Sequence, residues 1–71
     1  MENLKKIRIR QGLTQLQIAE ATGISQSLLS KYENGERTPT CGNLIALAKF
    51  LDTSVDYLLG LTSERSPYPK I

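Results

Sequence analysis

Residues 22–35 read TGISQSLLSKYENG, a short segment with a glycine near each end. When this segment is wound as an α-helix at about 100° per residue, its side chains divide into two arcs. The apolar arc carries Leu28, Leu29 and Tyr32. The other arc carries amides, hydroxyls and one ammonium, from Gln26, Ser27, Ser30, Lys31 and Asn34. The pattern predicts a helix that buries one face and presents hydrogen-bonding groups on the other.

The N-terminal half of the chain predicts three helices, of which this segment is the third. Residues 3–11 carry aliphatic side chains at helical spacing and form the first. Thr14 is placed to cap a second helix, and Gly23 ends it. Ser25 caps the third helix, which runs to about Asn34.

The C-terminal half predicts two more helices and a tail. Residues 41–51, CGNLIALAKFL, repeat apolar side chains at helical spacing. Ser54 caps a last short helix, which Gly60 closes. No segment shows a strand pattern, so the predicted fold is all-α: a compact five-helix domain over residues 1–61, followed by a loose tail over residues 62–71.

The second and third helices are joined by very few residues, which forces a steep crossing between them. Gly23 can take the positive φ that such a turn requires, and Ala19 is small enough for a close approach. Ile24 can fill the angle together with Leu29 and Tyr32. The sequence therefore predicts a helix-turn-helix arrangement.

Residues 13–40, LTQLQIAEATGISQSLLSKYENGERTPT, resemble the motif of the lambda-repressor-like, or Cro-repressor-type, helix-turn-helix family of bacterial and phage transcription regulators. The resemblance extends from about Leu4 to Leu59. Its most specific features are the Thr14-Gln15 start, Ala19, Gly23, the Glu33-Asn34-Gly35 exit and Pro39. It implies five helices, with the third in the major groove of double-stranded DNA and the protein bound as a homodimer. Leu16 and Leu28 depart from the family pattern, in which polar residues are more common.

The polar arc of the third helix then becomes a candidate base-reading surface, because the major groove admits a helix and presents distinct donors and acceptors. The amide of Gln26 suits adenine N6 and N7, and Lys31 suits guanine O6 or N7. Ser27 and Ser30 are short enough to contact either a base or a phosphate. Leu28 has two interpretations, contact with a thymine methyl or packing at the edge of the core.

Phosphate contacts are expected beside the reading helix, where they set its register without reading sequence. The resemblance implies that Gln15 and the amide end of the second helix bind one phosphate. It implies further phosphate contacts from Asn34, Arg37 and Thr38, beyond the third helix. Thr14 is expected to act as a cap close to the DNA backbone.

Two further pairs of residues are expected to form contacts, one within the domain and one between two copies of it. The resemblance implies a salt bridge between Arg8 of the first helix and Glu33 at the end of the third. Tyr57 and Leu61 are expected to be left uncovered by the core and to form a dimer interface, with completion of a small core as the alternative.

The composition limits the chemistry that is available. The 71 residues include no histidine, one cysteine and no tryptophan, and the net charge is +2. A Ser-His arrangement is therefore impossible, and we expect no enzyme, no metal site, no cofactor and no small-molecule ligand. A lone cysteine fits a reducing cytoplasm, and no apolar run is long enough for a signal peptide or a membrane span.

These observations predict a sequence-specific DNA-binding regulator, a repressor that occupies a palindromic operator as a dimer. The alternative is a protein-interaction module, such as an antitoxin or an adaptor with the same fold. A helix that binds a protein partner usually presents an apolar stripe to it. The exposed arc of the third helix is polar, which counts against this alternative. RNA-binding domains use clustered aromatic residues that stack on bases, and this chain lacks such a cluster. RNA binding is therefore not favoured.

Overall fold

Five α-helices form in the computed structural model, which describes residues 1–67. They are α1 (Glu2–Arg10), α2 (Gln15–Thr22), α3 (Gln26–Glu33), α4 (Cys41–Phe50) and α5 (Val55–Leu58). No strand occurs within these 67 residues. The prediction of an all-α, five-helix fold is confirmed. None of the helices in the described part of the chain has the length and apolar character needed to cross a bilayer.

Local hydrogen bonds explain where most of the helices begin. In four of them the hydroxyl of the preceding residue accepts a hydrogen bond from the backbone N–H three positions later. The capping residues are Thr14, Ser25, Thr40 and Ser54. Each cap satisfies one of the amide donors that a helix start leaves without a partner.

One core joins the five helices. Helix α2 packs against α3 and α4, and α1 packs against α3 and α5. The buried apolar residues are Leu4, Ile7, Ile18, Ile24, Leu29, Tyr32, Leu44, Leu47, Ala48, Leu51, Tyr57 and Leu58. Ile45 belongs to the apolar pattern of α4 but is 48% exposed, since it lies one residue round the helix from the buried Leu44. The residues of α3 in this core, Leu29 and Tyr32, lie on one face of the helix, so the core holds α3 by that face only.

The turn between α2 and α3 consists of residues 23–25 and depends on a left-handed glycine. Gly23 has φ 78°, and its N–H donates to the carbonyl oxygen of Ala19 at 2.9 Å. Ile24, which follows, is buried and belongs to the core.

Replacing Gly23 with alanine is expected to lower the free energy of unfolding by about 1 to 2 kcal/mol. The cause is backbone strain rather than crowding, because a Cβ at this position would meet nothing within 4 Å. Gly42 is the matched control, since it also has open space around it but lies within α4. Gly42→Ala is expected to raise the free energy of unfolding by about 0.5 to 1 kcal/mol, because alanine is more favourable than glycine inside a helix. Urea unfolding measures both, and changes of the same sign would contradict this account.

Tyr57 is buried, contrary to the expectation that the core leaves it uncovered. The residue is 6% exposed, whereas Leu61 is 73% exposed. Tyr57 lies in α5, which packs against α1, and Asn3 Nδ2 donates to the Tyr57 carbonyl oxygen at 2.8 Å. The expectation is wrong for Tyr57 because α5 packs against both α1 and α4.

The described part of the predicted tail, residues 62–67, contains no helix but is joined to the domain. The hydroxyl of Thr53, a residue that is 4% exposed, donates to the carbonyl oxygen of Arg65 at 2.7 Å. Tail residues 68–71 lie outside the described residues.

Candidate nucleic-acid interface

The outer face of α3 is defined here as Gln26, Ser27, Ser30, Lys31 and Asn34. All of these residues are exposed except Ser30, which is half-buried. On the opposite side of the helix, Leu29 is 1% exposed and Tyr32 is 2% exposed. The two arcs predicted for this segment are therefore separated in the structure, with hydrogen-bonding groups directed to solvent and the apolar groups in the core.

Helix α3 is held in place by polar contacts as well as by the core. Asn43 Nδ2 in α4 donates to the Tyr32 hydroxyl at 2.9 Å. At the C-terminal end, the N–H of Gly35 donates to the Tyr32 carbonyl oxygen and the N–H of Glu36 to that of Lys31. This pair of bonds around a residue with φ 76° is a Schellman motif. It directs the chain sharply away from the end of the outer face.

The start of α2 offers backbone donors to an anion. Thr14 Oγ1 accepts from the N–H of Gln17 at 3.1 Å, and Gln17 Oε1 accepts from the N–H of Thr14 at 2.7 Å. This capping box leaves the N–H groups of Gln15 and Leu16 without a partner among the described residues. Free amides and the positive end of the helix dipole favour a phosphate at this position.

Glu33 accepts hydrogen bonds from two other helices. Arg8 Nε donates to Glu33 Oε2 at 2.6 Å and Arg8 Nη2 donates to Oε1 at 3.0 Å. Gln15 Nε2 also donates to Oε1, at 3.1 Å. The third nitrogen of the guanidinium, Nη1, donates to the carbonyl oxygen of Leu13 at 3.0 Å. Side-chain exposure is 15% for Arg8 and 3% for Glu33, so the two residues expected to pair form a largely buried ion pair.

The contact with Glu33 stabilises the charged form of Arg8. The hydrogen bond to Glu33 raises the pKa of the Arg8 guanidinium, against the lowering that burial causes. Among residues 1–67, no buried side-chain nitrogen or oxygen is left without a hydrogen bond. The polar contacts under α3 are therefore fully satisfied.

The remaining predicted residues lie around α3. Arg37 and Thr38 are exposed in the segment that joins α3 to α4, on the C-terminal side of the outer face. Leu28 is half-buried and packs against the core, which matches the second of its two interpretations. Leu16 is 52% exposed in the first turn of α2. Leu61 is separated from α3 in sequence by α4 and α5.

Three contacts of this region were not predicted. The reciprocal cap from Gln17 has a sequence signal, because Thr-x-x-Gln before a helix is a capping-box pattern. The contact between Gln15 and Glu33 and the contact between Asn43 and Tyr32 join residues of different helices, and no local pattern indicates them.

The described residues offer no obvious place for a metal. No group of three or more His, Cys, Asp and Glu residues is arranged to hold a metal ion within residues 1–67. Cys41, the first residue of α4, is exposed and unpaired as a thiol.

Known proteins with similar sequences and structures are named as regulators. The HTH-type transcriptional regulator YobD of Bacillus subtilis is 40% identical over 70 residues, which cover 99% of this chain and 61% of YobD. The control protein C.SmaI of Serratia marcescens is 40% identical over 67 residues, covering 90% of this chain and 80% of that protein. The chain thus spans less than two thirds of the length of YobD.

A solved structure shares the fold. The crystal structure of the restriction-modification controller protein C.AhdI from Aeromonas hydrophila superposes with a TM-score of 0.75 and 30% sequence identity. The match covers 80% of this chain and 86% of that one. A family model described as helix-turn-helix matches residues 4–58, which run from the third residue of α1 to the end of α5. The chain therefore belongs to the helix-turn-helix family of transcriptional regulators.

Proposed function

We propose that this chain binds double-stranded DNA in a sequence-specific manner, with α3 in the major groove. The observation that carries the proposal is the outer face of α3, whose polar side chains are exposed while the apolar face is fixed in the core. A helix in the major groove needs this division, because base edges must meet free donors and acceptors. The attachment of α3 to the core also keeps the backbone that carries those groups in a constant position.

The outer face divides into groups that read bases and groups that hold the backbone. Gln26 lies in the first turn of α3 and Lys31 in its last. Lys31 lies five positions after Gln26, a rise of roughly 7.5 Å along the helix axis, which is about two base-pair steps. We assign base contacts to these two residues, with Ser27 and Ser30 between them. The proposal gives Leu28 a packing role, with a thymine methyl as its only candidate contact on DNA.

Phosphate contacts are proposed on both sides of α3. On one side are the free N–H groups of Gln15 and Leu16 at the start of α2. On the other side are Asn34, Arg37 and Thr38, which are exposed at and beyond the end of α3. Groups that bind phosphates on each side of a reading helix fix its depth and register in the groove.

Action as a dimeric repressor is part of the proposal. One reading helix covers one half-site, and two copies about 34 Å apart would read a palindromic operator. Leu59 and Leu61, which are 43% and 73% exposed beyond α5, supply an apolar surface for pairing, whereas the buried Tyr57 supplies little. Occupation of an operator is sufficient to exclude polymerase, so we favour repression. Such a regulator acts on DNA in the cytoplasm.

Selection of bound sequences from a random duplex pool tests the proposed function. We expect one enriched palindromic site, and we expect the logarithm of the binding constant for that site to fall linearly with the logarithm of salt concentration. A palindromic site would indicate that two copies of the protein bind together. The spacing of its half-sites would limit which surfaces of the two copies can be in contact. No enriched sequence, together with binding that ignores salt, would favour a protein-interaction module.

Arg37→Ala is expected to weaken binding to all duplex sequences by a similar factor and to reduce the salt slope by about one. The physical reason is the loss of one phosphate contact, which releases counterions but reads no base. Titrations of the selected duplex and of a scrambled duplex at several salt concentrations measure this effect. A change of preference at one base pair would instead place Arg37 among the base-reading residues.

A further inference from the structure

The side chain of Gln15 is not free in the unbound protein. Its Nε2 atom donates to Glu33 Oε1 at 3.1 Å, across the angle between the start of α2 and the end of α3. Glu33 is itself fixed, because the guanidinium of Arg8 binds both of its carboxylate oxygens and its side chain is only 3% exposed. A residue expected to contact DNA is therefore attached to a buried carboxylate.

We infer that Glu33 is a positioning residue for the phosphate contact at the start of α2. This inference rests on the proposed function. Glu33 holds the carboxamide of Gln15 by one N–H, and the second N–H of Nε2 stays available to a phosphate oxygen. The free backbone N–H groups of Gln15 and Leu16 lie in the same first turn and serve the same anion.

The advantage of this arrangement is preorganisation. A glutamine side chain has one of the larger conformational entropies, and a mobile one would lose it when DNA binds. Because Glu33 already orders Gln15, that loss occurs during folding rather than during association. The negative acceptor also polarises the amide, which makes its remaining N–H a better donor.

Glu33 acts through Gln15 and not on DNA directly. Its carboxylate is buried, and its oxygens already accept three hydrogen bonds from Arg8 and Gln15. A bare carboxylate beside a phosphate would also be repelled. Since Glu33 is the last residue of α3, the same carboxylate sets the distance between the reading helix and the phosphate anchor of α2.

Neutralising single phosphates of the selected duplex with methylphosphonates tests the inference. In the parent protein we expect one position per half-site, the phosphate that faces the start of α2, to weaken binding by about tenfold when it is neutralised, the effect of one hydrogen bond to a charged group. The phosphates that face the far end of α3 should be sensitive as well, but Gln15 and Glu33 should not affect them. Gln15→Ala should reduce the penalty at the start of α2 to about threefold, leaving the backbone contacts in place. Glu33→Asp keeps the charge but withdraws the acceptor by one methylene, and it should reduce the penalty at the same position. The double variant should show no further reduction.

Gln11→Ala is the matched control. Gln11 Nε2 also joins two parts of the fold, because it donates to the carbonyl oxygen of Leu51 at 2.7 Å, but it lies at the end of α1. Its replacement should leave the methylphosphonate profile unchanged. If Glu33→Asp lowers affinity equally at every phosphate, as Gln11→Ala would through stability alone, Glu33 is only structural and the inference is overturned.

A measurement on the unmodified protein keeps the test independent of how well Glu33→Asp folds. The side-chain amide of Gln15 should be nearly as ordered by NMR relaxation as the rigid backbone, with an order parameter near 0.85. The exposed amide of Gln26 should fall below about 0.6. Equal mobility of the two side chains would overturn the inference.

The outcomes separate this inference from the function on which it rests. If Gln15→Ala changes the profile and Glu33→Asp does not, the positioning role fails while DNA binding stands. If no neutralised phosphate affects the parent protein, the proposed function fails, and the inference with it.

Discussion

Arg8→Ala is expected to lower the free energy of unfolding by about 3 to 5 kcal/mol, because it strands a buried carboxylate. Glu33 is 3% exposed at its side chain, and Arg8 supplies two of the three hydrogen bonds to it. Only the neutral amide of Gln15 would remain. For a domain of this size the loss corresponds to roughly 15 to 30 °C in the unfolding midpoint, which calorimetry or circular dichroism measures.

A second ion pair provides the control for this prediction. Lys6 and Glu2 lie 3.5 Å apart in α1, with side chains that are 60% and 82% exposed. Lys6→Ala should change the free energy by less than about 0.5 kcal/mol, since solvent screens exposed pairs. Arg8→Met combined with Glu33→Met should be less destabilising than Arg8→Ala alone, because no charge is stranded. Equal unfolding midpoints for Arg8→Ala and the parent would contradict a stabilising ion pair.

Gln26→Ala is expected to reduce affinity for the selected operator by about 1 to 3 kcal/mol per half-site and to relax preference at one base pair. Gln26 is exposed in the first turn of α3, and a carboxamide can make a bidentate contact with adenine N6 and N7. Binding to operators with each base pair changed in turn measures the effect. The parent should discriminate at the position that Gln26 reads, and the variant should not.

The control for Gln26 must separate base reading from general binding. Gln11→Ala removes the same side chain from the end of α1, far from α3 in sequence, and should leave discrimination unchanged. Arg37→Ala should lower affinity without altering base preference. If Gln26→Ala and Arg37→Ala act alike on every duplex, the division between base-reading and phosphate-binding residues is wrong.

Most of the fold could be predicted from interactions between neighbours in the chain. Caps at Thr14, Ser25 and Ser54 act within three residues, and the left-handed Gly23 follows from the length of its turn. The two arcs of α3 follow from helical periodicity alone. Such signals are visible in sequence because both partners in each interaction lie within one or two helical turns.

Less of the candidate site could be predicted from the sequence. Residues of the outer face could be named from the pattern and the resemblance, and the structure leaves them exposed, apart from the half-buried Ser30. The attachment of Gln15 to Glu33 could not be predicted, since these residues are 18 positions apart and meet only after α2 and α3 cross. The burial of Tyr57 was missed because it depends on how α1 and α4 pack against α5.

The five helices, the caps at Thr14, Ser25 and Ser54 and the polar face of α3 follow from the sequence, because these features depend on periodicity and on hydrogen bonds between near neighbours. The tertiary structure alone decided which surfaces are covered and which polar groups meet. It buried Tyr57, added Gln15 to the carboxylate that Arg8 binds and joined Thr53 to the segment after α5. Those contacts require distant segments to be packed together, and packing is a property of the whole chain.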